Sequence, residues 1–592
     1  MSARELITEH LDLWTGAVMK KSGSGRGSNG KTELTGVKKL RELILELAVR
    51  GKLVHQNPNE EPAILLAEKI AAERATLMQA GAIKKSPKLP QIAPEEIPFD
   101  IPSGWHWVRL GELVKKIGSG ATPRGGKNAY VQSGIPFLRS QNIWNDGLNL
   151  QDVAYIPPET HERMANTNVF PNDILLNITG ASLGRCTVVP TELEMANVSQ
   201  HVTIIRTIDP LNRSYLHYLI LSPYVQSLVW GRQVGMAREG LSKKVLEQFE
   251  IPLPPLEEQH RIVQKVDEFM ALCDRLEQQT SDQLEAHETL VDTLLGTLTQ
   301  SENATELADN WARLAAHFDT LFTTEQSIDK LKQTILQLAV MGRLVEQDAG
   351  DEPATTLLQS IESQKGECIK SGAIKRSRPL PSVSQEDHPF RLPNGWRCHR
   401  LGALVTKLGS GSTPRGGQRA YVDDGVPFLR SQNVWNDGLR LEDIVYISED
   451  THARMSNTVV YPKDILLNIT GASLGRSTIF PDHIPEANVS QHVTIIRLIE
   501  PAMTSFVHLC IQSPLIQSLV WGRQVGMAIE GLSKKVLERF EMPVPPLEEQ
   551  HRIVQKVDEL TALCDQLKDR LNQASETRCQ LAAAIVEQGL SA

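Results

Sequence analysis

The stretch Pro136-Phe-Leu-Arg-Ser-Gln-Asn142 occurs twice in this chain, returning letter for letter as Pro427-Phe-Leu-Arg-Ser-Gln-Asn433. Other segments recur at the same offset, among them 101–105 as 392–396, 177–185 as 468–476 and 254–260 as 545–551. Extended outward, the match joins residues 36–301 to residues 327–592 without insertion or deletion. Because this period is far longer than that of a solenoid repeat, we expect each copy to fold around its own core.

Each copy begins with a short helix and a polar linker. Apolar residues return at three- and four-residue steps between Leu40 and Leu53, which predicts a helix with one apolar face. In the two copies this face carries Leu40, Ile44, Leu47 and Ala48, and Leu331, Ile335, Leu338 and Ala339. The Lys- and Pro-rich segments near 83–100 and 374–391 then predict linkers.

The middle part of each copy, residues 101–255 and 392–546, is dense in Gly, Pro and Asn. Alternation over Val202, Ile204 and Arg206 favours strands there, and the stretch 215–229 favours a helix. We therefore predict an α+β fold class, with a mixed α/β domain in each copy.

Each copy ends in a long amphipathic stripe, which predicts a helix of ~40 residues. The stripe runs through Ile262, Val266, Phe269, Met270, Cys273, Leu276, Leu284, Leu294 and Leu298, and in the second copy through Ile553, Val557, Leu560, Leu563, Cys564, Leu567, Leu571, Leu581 and Ile585. So long a stripe favours a partner helix, which the other copy offers; alternatively, each stripe covers only its own domain. The predicted chain begins with a tail and Gly/Ser linker, residues 1–35. The first copy then has a helix and linker (36–100), a mixed domain (101–255) and a long helix (256–325). The second copy has the same parts at 326–391, 392–546 and 547–592.

The composition, with 41% hydrophobic and 22% charged residues, is typical of a globular protein. No apolar run approaches the ~18 residues of a membrane span, and the acidic start lacks the pattern of a signal peptide. Seven scattered cysteines without a CxxC pair argue against a disulfide framework and a zinc site. We therefore expect a cytoplasmic protein.

The net charge of −9 disfavours a chain that binds DNA unaided, because phosphate contacts need Lys and Arg. The charge is unevenly placed, however. Basic residues recur in Gly-rich loops such as TPRGGK and GLSKK, whereas acidic residues collect in the linkers and helical segments. A subunit that joins other DNA-binding chains also need not supply the whole attraction.

Residues 25–32, GRGSNGKT, match the phosphate-binding pattern GxxxxGK[ST]. That loop requires a buried strand before it and a helix opening directly from it, but a polar stretch precedes it here. We interpret it as a Gly/Ser linker. Motifs of amino-methyltransferases, zinc proteases, serine hydrolases and nucleases are not found, and His260 and His551 are interpreted as polar helix-start residues. We therefore predict a binding protein with no catalytic residue, no metal and no cofactor.

Recurring polar loops carry the strongest functional signal. Arg reads guanine edges, Asn or Gln reads adenine, and Ser or Thr reads either, while Gly lets the backbone approach phosphates. Alternatively these are ordinary turn residues, since Gly, Asn, Ser and Pro dominate turns. Taken together in a duplicated domain, the loops favour DNA reading. The candidate DNA-binding residues are Thr122, Arg124, Arg139, Gln141, Asn142, Asn177, Thr179, Ser182, Arg185, Ser199, Gln200, His201, Arg232, Lys243 and Lys244, and in the second copy Thr413, Arg415, Arg430, Gln432, Asn433, Asn468, Thr470, Ser473, Arg476, Ser490, Gln491, His492, Arg523, Lys534 and Lys535.

Over nearly its whole length the chain resembles the specificity subunit of a type I restriction–modification enzyme. The resemblance rests on four segments, each with its repeat: LELAVRGKL (45–53), PFLRSQN (136–142), DILLNITG (173–180) and PPLEEQHRI (254–262). It implies two target recognition domains held apart by long antiparallel helices, with an internal pseudo-two-fold symmetry. It further implies double-stranded DNA, two methyltransferase (modification) subunits and restriction/translocase subunits as partners. Catalysis is then the work of those other chains.

The two recognition domains of this family usually differ, whereas here they are nearly identical. With antiparallel helices, two like domains meet the same bases on opposite strands, which predicts an interrupted palindrome; parallel helices would predict a direct repeat. A helix of ~40 residues reaches ~60 Å, enough to place two domains about one DNA turn, ~34 Å, apart. Among the positions at which the copies differ, the following can alter one half-site: Lys127-Asn128 against Gln418-Arg419, Gln132-Ser133 against Asp423-Asp424, and Arg238 against Ile529.

Two alternative functions remain open from the sequence alone. One is DNA recognition within another kind of modification system. The other is an ATP-driven protein that uses the loop at residues 25–32.

Replacing Lys31 with Ala separates the ATP-driven alternative from DNA recognition. We expect site-specific methylation to persist when the K31A chain is co-expressed with its methyltransferase partner, because a linker lysine binds no nucleotide phosphate. Sequencing of modified bases in the host genome measures the outcome. Lost methylation at an unchanged protein level would favour the ATP-driven protein instead.

Overall fold

A computed structural model describes residues 3–20, 32–83, 88–208, 211–233, 240–302, 304–375, 379–384, 386, 388–523 and 531–591. The chain divides into two units: Met1–Gln283 together with Gln573–Ala592, and Leu284–Asn572. Within the described ranges, no helix combines the length and hydropathy needed to cross a bilayer.

The first unit contains helices and strands from the whole of the first copy. Its helices are α1 (Ala3–Thr8), α2 (Leu11–Gly16), α3 (Thr35–Val49), α4 (Ala63–Gln79), α5 (Pro158–Arg163), α6 (Arg213–Leu221), α7 (Pro223–Gly231), α8 (Lys243–Glu247) and the first part of α9 (Leu256–Gln300). Its strands are β1 (Met19–Lys20), β2 (Thr32–Glu33), β3 (His106–Arg109), β4 (Val114–Ser119), β5 (Ile135–Leu138), β6 (Ile143–Trp144), β7 (Gly147–Leu148), β8 (Ala154–Ile156), β9 (Asn168–Val169), β10 (Ile174–Asn177), β11 (Cys186–Val188), β12 (Ala196–Val198), β13 (Val202–Thr207) and β14 (Glu250–Leu253).

The second unit repeats this order. Its helices are α10 (Ala304–Ala316), α11 (Phe318–Leu321), α12 (Glu325–Val340), α13 (Ala354–Lys370), α14 (Leu401–Leu404), α15 (Glu449–Arg454), α16 (Thr504–Gln512), α17 (Pro514–Gly522), α18 (Lys534–Leu537) and the first part of α19 (Leu547–Ser591). Its strands are β15 (Arg397–Arg400), β16 (Val405–Ser410), β17 (Tyr421–Val422), β18 (Val426–Leu429), β19 (Val434–Trp435), β20 (Gly438–Leu439), β21 (Val445–Ile447), β22 (Val459–Val460), β23 (Ile465–Asn468), β24 (Ser477–Ile479), β25 (Ala487–Val489), β26 (Val493–Leu498) and β27 (Glu541–Val544).

Two sheets form the mixed domain of each unit, so the predicted α+β class is confirmed. In the first unit an antiparallel sheet has the order β11-β10-β13-β4, and a second sheet, β8-β5-β12-β9, contains the parallel pair β5 and β12. The corresponding orders in the second unit are β16-β26-β23-β24 and β17-β21-β18-β25-β22. Strand β3 pairs with β14, and β15 with β27, joining the start of each domain to its end.

The antiparallel sheet is buried on both faces. Ile174 and Leu176 of β10 join the large core that also holds residues of α6, α7 and α9, whereas Leu175 joins a smaller core against the second sheet. The predicted strand at 202–206 is confirmed as β13, but its expected alternation is not found. Residues 202–205 are all buried, because both faces of this sheet are covered.

Two predicted helices have different bounds in the structure because of a glycine and a proline. Helix α3 ends at Val49 and not at Leu53, because Gly51 takes the left-handed φ of 69° that terminates helices. The helix predicted at 215–229 is two helices, since Ser222 caps α7 at the amide of Val225 and a proline opens it.

Helices α4 and α13 lie between the first helix and the linker of each copy and were not predicted from the sequence. Only Ala63, Leu66 and Ile70 of α4 are buried, so its apolar stripe is too narrow to stand out from its periodicity.

The two long helices are continuous over 45 residues each, but the first ends before residue 325, and the predicted stripe of the second is exposed at two residues. The central segment 256–325 is not one helix: α9 ends at Gln300, and α10 and α11 follow. Leu563 and Leu581 were predicted in the buried stripe but are 54% and 51% exposed. Their neighbours Cys564 and Ala582 are buried instead, because adjacent helix residues point about 100° apart.

Within each unit, segments of the two long helices run antiparallel against one short helix. In the first unit, α3 and the loop after it run parallel to α19, since Thr35 contacts Cys579 and Lys52 contacts Leu590. They run antiparallel to α9, since Arg41 contacts Asp274 and Gln56 contacts Glu258. In the second unit, α12 and its loop run parallel to α9, since Lys330 contacts Asp292 and Arg343 contacts Thr299. They run antiparallel to α19, since Lys332 contacts Asp565 and Gln347 contacts Glu549.

The long stripes were predicted either to pack with a helix of the other copy or to cover their own domain. Both occur, in different parts of the same helix. The first half of α9 covers its own domain, with Ile262, Val266 and Phe269 in the large core of the first unit. The last part of α9 enters the core of the second unit through Val291, Leu295 and Leu298, packed with α12. The end of α19, with Ala582, takes the corresponding place in the first unit.

The N-terminal segment packs against the end of the C-terminal helix. Trp14 is fully buried, the Oγ of Ser575 donates to the carbonyl of Val18 at 2.5 Å, and Gly589 lies against the side chain of Leu6. Residues 25–31, the core of the phosphate-loop match, lie outside the described residues. Its flanks β1 and β2 pair antiparallel, so Thr32 begins a strand and not the helix that a phosphate loop requires.

A buried carboxylate fastens the first turn of each long helix to its own domain. The indole Nε1 of Trp105 donates to Glu258 at 3.0 Å, and the amide of Gln56 donates to the other oxygen at 2.5 Å. Burial raises the pKa of Glu258, and the two donors oppose that rise. In the second unit Glu549 accepts from Trp396 at 2.9 Å in the same way.

We predict that Trp105→Phe loosens the start of α9, because a buried carboxylate loses one of its donors. The expected loss is about 1–3 kcal/mol in the free energy of local unfolding. Hydrogen exchange of the first turns of α9 in the intact chain measures this loss. Trp107→Phe, which alters a partly buried indole that packs on Phe99 and Tyr224, is the matched control and should leave this exchange near wild type. Equal effects of both changes would contradict a specific role for the Trp105 donor.

Candidate nucleic-acid interface

The sheet topology brings the polar loops to one edge of each domain. Because β5 and β12 are parallel, the loops that follow them leave at the same edge. The ends of β10 and β4 meet the start of β13 through Asn177–Val202 and Ser119–Thr203. A bridge between Thr179 and Gly240 adds the segment before α8. We call this edge the loop surface; it comprises residues 119–126, 139–142, 177–185, 199–201 and 240–244, and in the second domain 410–417, 430–433, 468–476, 490–492 and 531–535.

Most of the candidate side chains are accessible on this surface. Those exposed in the two domains are Thr122, Arg124, Gln141, Gln200, Lys243 and Lys244, and Thr413, Arg415, Gln432, Gln491, Lys534 and Lys535. Those half-buried are Arg139, Thr179, Ser182, Arg185 and His201, and Arg430, Thr470, Ser473, Arg476 and His492. The loop surface therefore presents Arg, Lys, Gln, Thr, Ser and His side chains together, as a base-reading surface requires.

Hydrogen bonds between loops hold these side chains in place. The Thr122 hydroxyl donates to the Gln200 amide oxygen at 3.1 Å, and the Thr179 hydroxyl lies 2.7 Å from Nδ1 of His201. The Arg139 guanidinium donates to the Asp152 carbonyl at 3.1 Å. The second domain repeats all three contacts, as Thr413–Gln491, Thr470–His492 and Arg430–Asp443. Such preorganised groups lose little conformational freedom on binding.

Six candidates are buried within the domains, and their contact with bases stays a prediction. They are Asn142, Asn177 and Ser199, and their counterparts Asn433, Asn468 and Ser490. Asn142 accepts from the amide of Arg139 at 2.9 Å and donates to the carbonyl of Asn149 at 2.9 Å. Asn177 donates to the carbonyl of Ser140 at 2.8 Å, which ties two of the loops together.

Arg232 and Arg523 are also engaged within the protein. The Arg232 guanidinium pairs with the buried Glu250 at 2.9 Å, beside Arg109, which contacts the same carboxylate at 2.5 Å. Arg523 pairs with Glu541 at 2.9 Å in the same way. These arginines compensate a buried carboxylate between the paired strands, while 38% and 41% of their side chains stay exposed, so a contact with DNA stays a prediction for both.

Each loop surface contains three buried polar atoms without a hydrogen-bond partner in the described part of the chain. They are the Nε of Arg139, the Oδ1 of Asn177 and the Oγ of Ser199, with the equivalent atoms of Arg430, Asn468 and Ser490. Buried polar atoms are normally satisfied, so these atoms are an exception that both domains share.

Two exposed tryptophans lie beside these loops and were not predicted from the sequence to belong to the site. Trp144 and Trp435 are 42% and 37% exposed. The guanidinium of Arg185 stacks on Trp144 at 4.0 Å from the ring centroid, and that of Arg476 stacks on Trp435 at 3.8 Å. The signal available was the repeated stretch of Trp-Asn-Asp-Gly, in which an aromatic residue stands in an otherwise polar turn. Trp230 and Trp521, each 54% exposed at the end of a helix, were missed too.

The loop surface is cationic even though the whole chain is acidic. Arg124, Arg139 and Arg185 form no ion pair with any carboxylate of the described ranges, whereas Lys243 pairs with Glu247 at 3.4 Å. The sites that differ between the copies at 127–128 and 132–133 adjoin the loop surface but are not part of it. Arg238 and Ile529, a further pair that differs between the copies, lie outside the described residues.

No group of metal ligands is found in the described part of the chain. His, Cys, Asp and Glu side chains are nowhere grouped in threes there as metal ligands. His260 lies in the first turns of α9, half-exposed and 4.0 Å from Glu257, and His551 lies likewise 3.8 Å from Glu548.

Comparison with known proteins gives the family of this chain. The family model described as "Type I restriction modification DNA specificity domain" matches residues 102–286 and 393–576. The chain belongs to this family. It is 37% identical over 608 residues to the type I restriction enzyme EcoAI specificity subunit of Escherichia coli, with 100% of both chains covered. It is 36% identical over 617 residues to the EcoEI specificity subunit of Escherichia coli, again with 100% coverage of both chains.

Each match to the family model ends inside a long helix, at 286 in α9 and at 576 in α19. Each therefore contains one mixed domain and the part of the helix that covers it. The specificity domain of this family thus includes the loop surface and its helical support.

Paired substitutions distinguish the exposed loop residues from the buried ones. We predict that Gln200→Ala with Gln491→Ala weakens DNA binding without lowering thermal stability, since exposed side chains contribute within about 0.5 kcal/mol. Asn177→Ala with Asn468→Ala should lower the free energy of unfolding by about 1–3 kcal/mol per site, because buried carbonyls lose their donors. Thermal melts and DNA-binding titrations of the complex with its methyltransferase measure both. Unchanged affinity of the glutamine variant would exclude these residues from the contact.

Proposed function

We propose that this chain is the specificity subunit of a type I restriction–modification complex, which binds double-stranded DNA through its two loop surfaces. It performs no catalysis itself and directs methyltransferase and restriction subunits to the target. The observation that carries this proposal is that base-reading side chains, and arginines that form no ion pair within the described ranges, gather on one edge of each specificity domain. Arg124, Gln141 and Gln200 are the exposed residues best suited to base edges.

We further propose that the target is an interrupted palindrome. Each accessible candidate on one loop surface has the identical residue at the equivalent position of the other, from Thr122 and Thr413 to Lys244 and Lys535. Two surfaces of the same chemistry select the same bases. The antiparallel course of the long helices within each unit supports opposite strands for the two half-sites, and hence a palindrome and not a direct repeat.

The partners follow from the same proposal. Two specificity domains with their own helical supports suit two methyltransferase subunits, one for each half-site, and restriction subunits join that complex. Because its substrate is the cell's own and invading DNA, we infer that the chain works in the cytoplasm. Affinity purification from the native host identifies the catalytic chains; a fused methyltransferase–nuclease in their place would indicate another kind of modification system.

We predict that the host genome carries methylated adenines in one bipartite motif whose two halves are reverse complements. Base-resolution mapping of methylation in the host, compared with a strain from which this chain is deleted, measures it. A bipartite motif with unrelated halves would contradict the palindrome while leaving the specificity function intact.

A chimaera provides the matched control for this motif. In it, residues 101–255 are replaced by residues 392–546, so both domains carry the same residues at the sites that differ. The expected target keeps the same spacer and is a perfect palindrome, including any base at which the wild-type halves differ. A chimaera that methylates a new, asymmetric motif would overturn the proposal that equivalent residues read equivalent bases.

A further inference from the structure

We propose that Trp144 and Trp435 are positioning residues that hold the guanidinium groups of Arg185 and Arg476 ready to bind DNA phosphates. This inference rests on the proposed function and adds a phosphate-binding site to each specificity domain. It concerns side chains at the same place in both domains, each an exposed indole beneath an arginine. A planar guanidinium that already lies flat on a ring loses less freedom when it binds an anion.

Both members of the pair are fixed by their backbones. Trp144 lies in the hairpin of β6 and β7, and its Nε1 donates to the carbonyl of Gln141 at 2.9 Å, which sets the orientation of the ring. The Oδ1 of Asn145 accepts from the amide of Cys186 at 3.1 Å, so the residues that follow the indole and the arginine are bonded to each other. In the second domain Asn436 accepts from Ser477 at 3.0 Å.

The arginine itself leaves a tight turn. Gly184 has a φ of 85°, and the amide of Asn177 donates to the carbonyl of Arg185 at 2.8 Å. The side chain therefore starts from a rigid point, and the indole 4.0 Å away fixes where its guanidinium lies.

The charge around the pair leaves the arginine without an internal partner. In the second unit, Trp435 and Arg476 line a cleft of about 1420 Å³. The lysines of this cleft are neutralised by carboxylates, in the pairs Lys330–Asp292, Lys332–Asp565 and Lys568–Asp329. Arg476 pairs with no carboxylate in the described ranges, so it remains available for an external anion.

The position of the pair favours a DNA phosphate as that anion. The carbonyl that orients Trp144 belongs to Gln141, an exposed residue of the loop surface, and the arginine ends the loop that begins at Asn177. A guanidinium binds phosphate through two parallel hydrogen bonds, which a duplex lying on the loop surface offers along its backbone. The alternative anion, a carboxylate of a partner protein, is an outcome of the test.

The dependence of DNA affinity on salt tests the arginines. The probe is a duplex carrying the methylated site mapped in the host, bound by the complete complex with its methyltransferase. Because each phosphate contact contributes about −0.9 to the slope of log affinity against log salt, Arg185→Ala with Arg476→Ala should make that slope less steep by about 1.8. Arg163→Ala with Arg454→Ala is the matched control: it removes the same charge from α5 and α15, which follow strands β8 and β21 at the opposite edge of the sheet, and should leave the slope unchanged.

A double-mutant cycle tests the tryptophans. Trp144→Ala with Trp435→Ala should weaken binding about 5- to 30-fold while the salt slope is kept, since the arginines remain but are no longer held. Trp144→Phe with Trp435→Phe should recover most of the affinity. In the background of the arginine variant, the same alanine changes should have little further effect, because the tryptophans act through the arginines.

Each outcome bears on the proposal. An unchanged salt slope in the arginine variant, with normal binding by wild type, would overturn the phosphate contact alone. An equal tryptophan effect in both backgrounds would overturn the positioning role. Loss of the methyltransferase from the complex on gel filtration would assign the pair to a protein partner and overturn the DNA contact. A wild-type complex that does not bind the duplex would overturn the proposed function as well.

Discussion

The structure depends on one packing arrangement, in which a short helix of each copy lies against the start of one long helix and the end of the other. In the first unit α3 is the short helix, and in the second α12 takes its place. The contact of Lys52 with the carbonyl of Leu590 returns as that of Arg343 with the carbonyl of Thr299, the same two positions with the copies exchanged. Neither copy can therefore complete its core with its own residues alone. Duplication is a structural requirement of this chain as well as a feature of its sequence.

Charge and burial act at different levels of this arrangement. The buried contacts, such as Trp105 on Glu258 and Trp396 on Glu549, are the same in both units and set the course of each long helix. The exposed ion pairs are kept less closely. Arg41–Asp274 returns as Lys332–Asp565, whereas Glu277, which pairs with Arg41 in the first unit, is replaced by Lys568, which pairs with Asp329 in the second. Exposed pairs are worth little to stability, so they are free to differ while the buried contacts remain.

The functional edge follows from strand order. Polar loops far apart in the sequence meet because two parallel strands end together and because their neighbours reverse direction at the same level. Packing then sorts the polar residues of these loops into two sets. Asn142 and Asn177 face inward and bond to carbonyls, which holds Gln141 and Arg185 outward. The buried asparagines therefore hold the exposed residues of the loop surface in place.

Periodicity and repetition determined much from the sequence alone: the duplicated unit, the α+β class, the strand at 202–206, the long helices and the family. These features are local or are repeated along the chain, so they can be recognised directly in the amino-acid sequence. Tertiary structure decided what depends on contacts between distant residues. It ended α3 at a left-handed glycine and split the helix at Ser222. It buried Cys564 in the core and left Leu563 exposed. It also buried Asn177, whereas Trp144 stays exposed beneath Arg185. Whether a polar side chain faces solvent or a carbonyl depends on which strands are neighbours, and no single segment of the sequence records that.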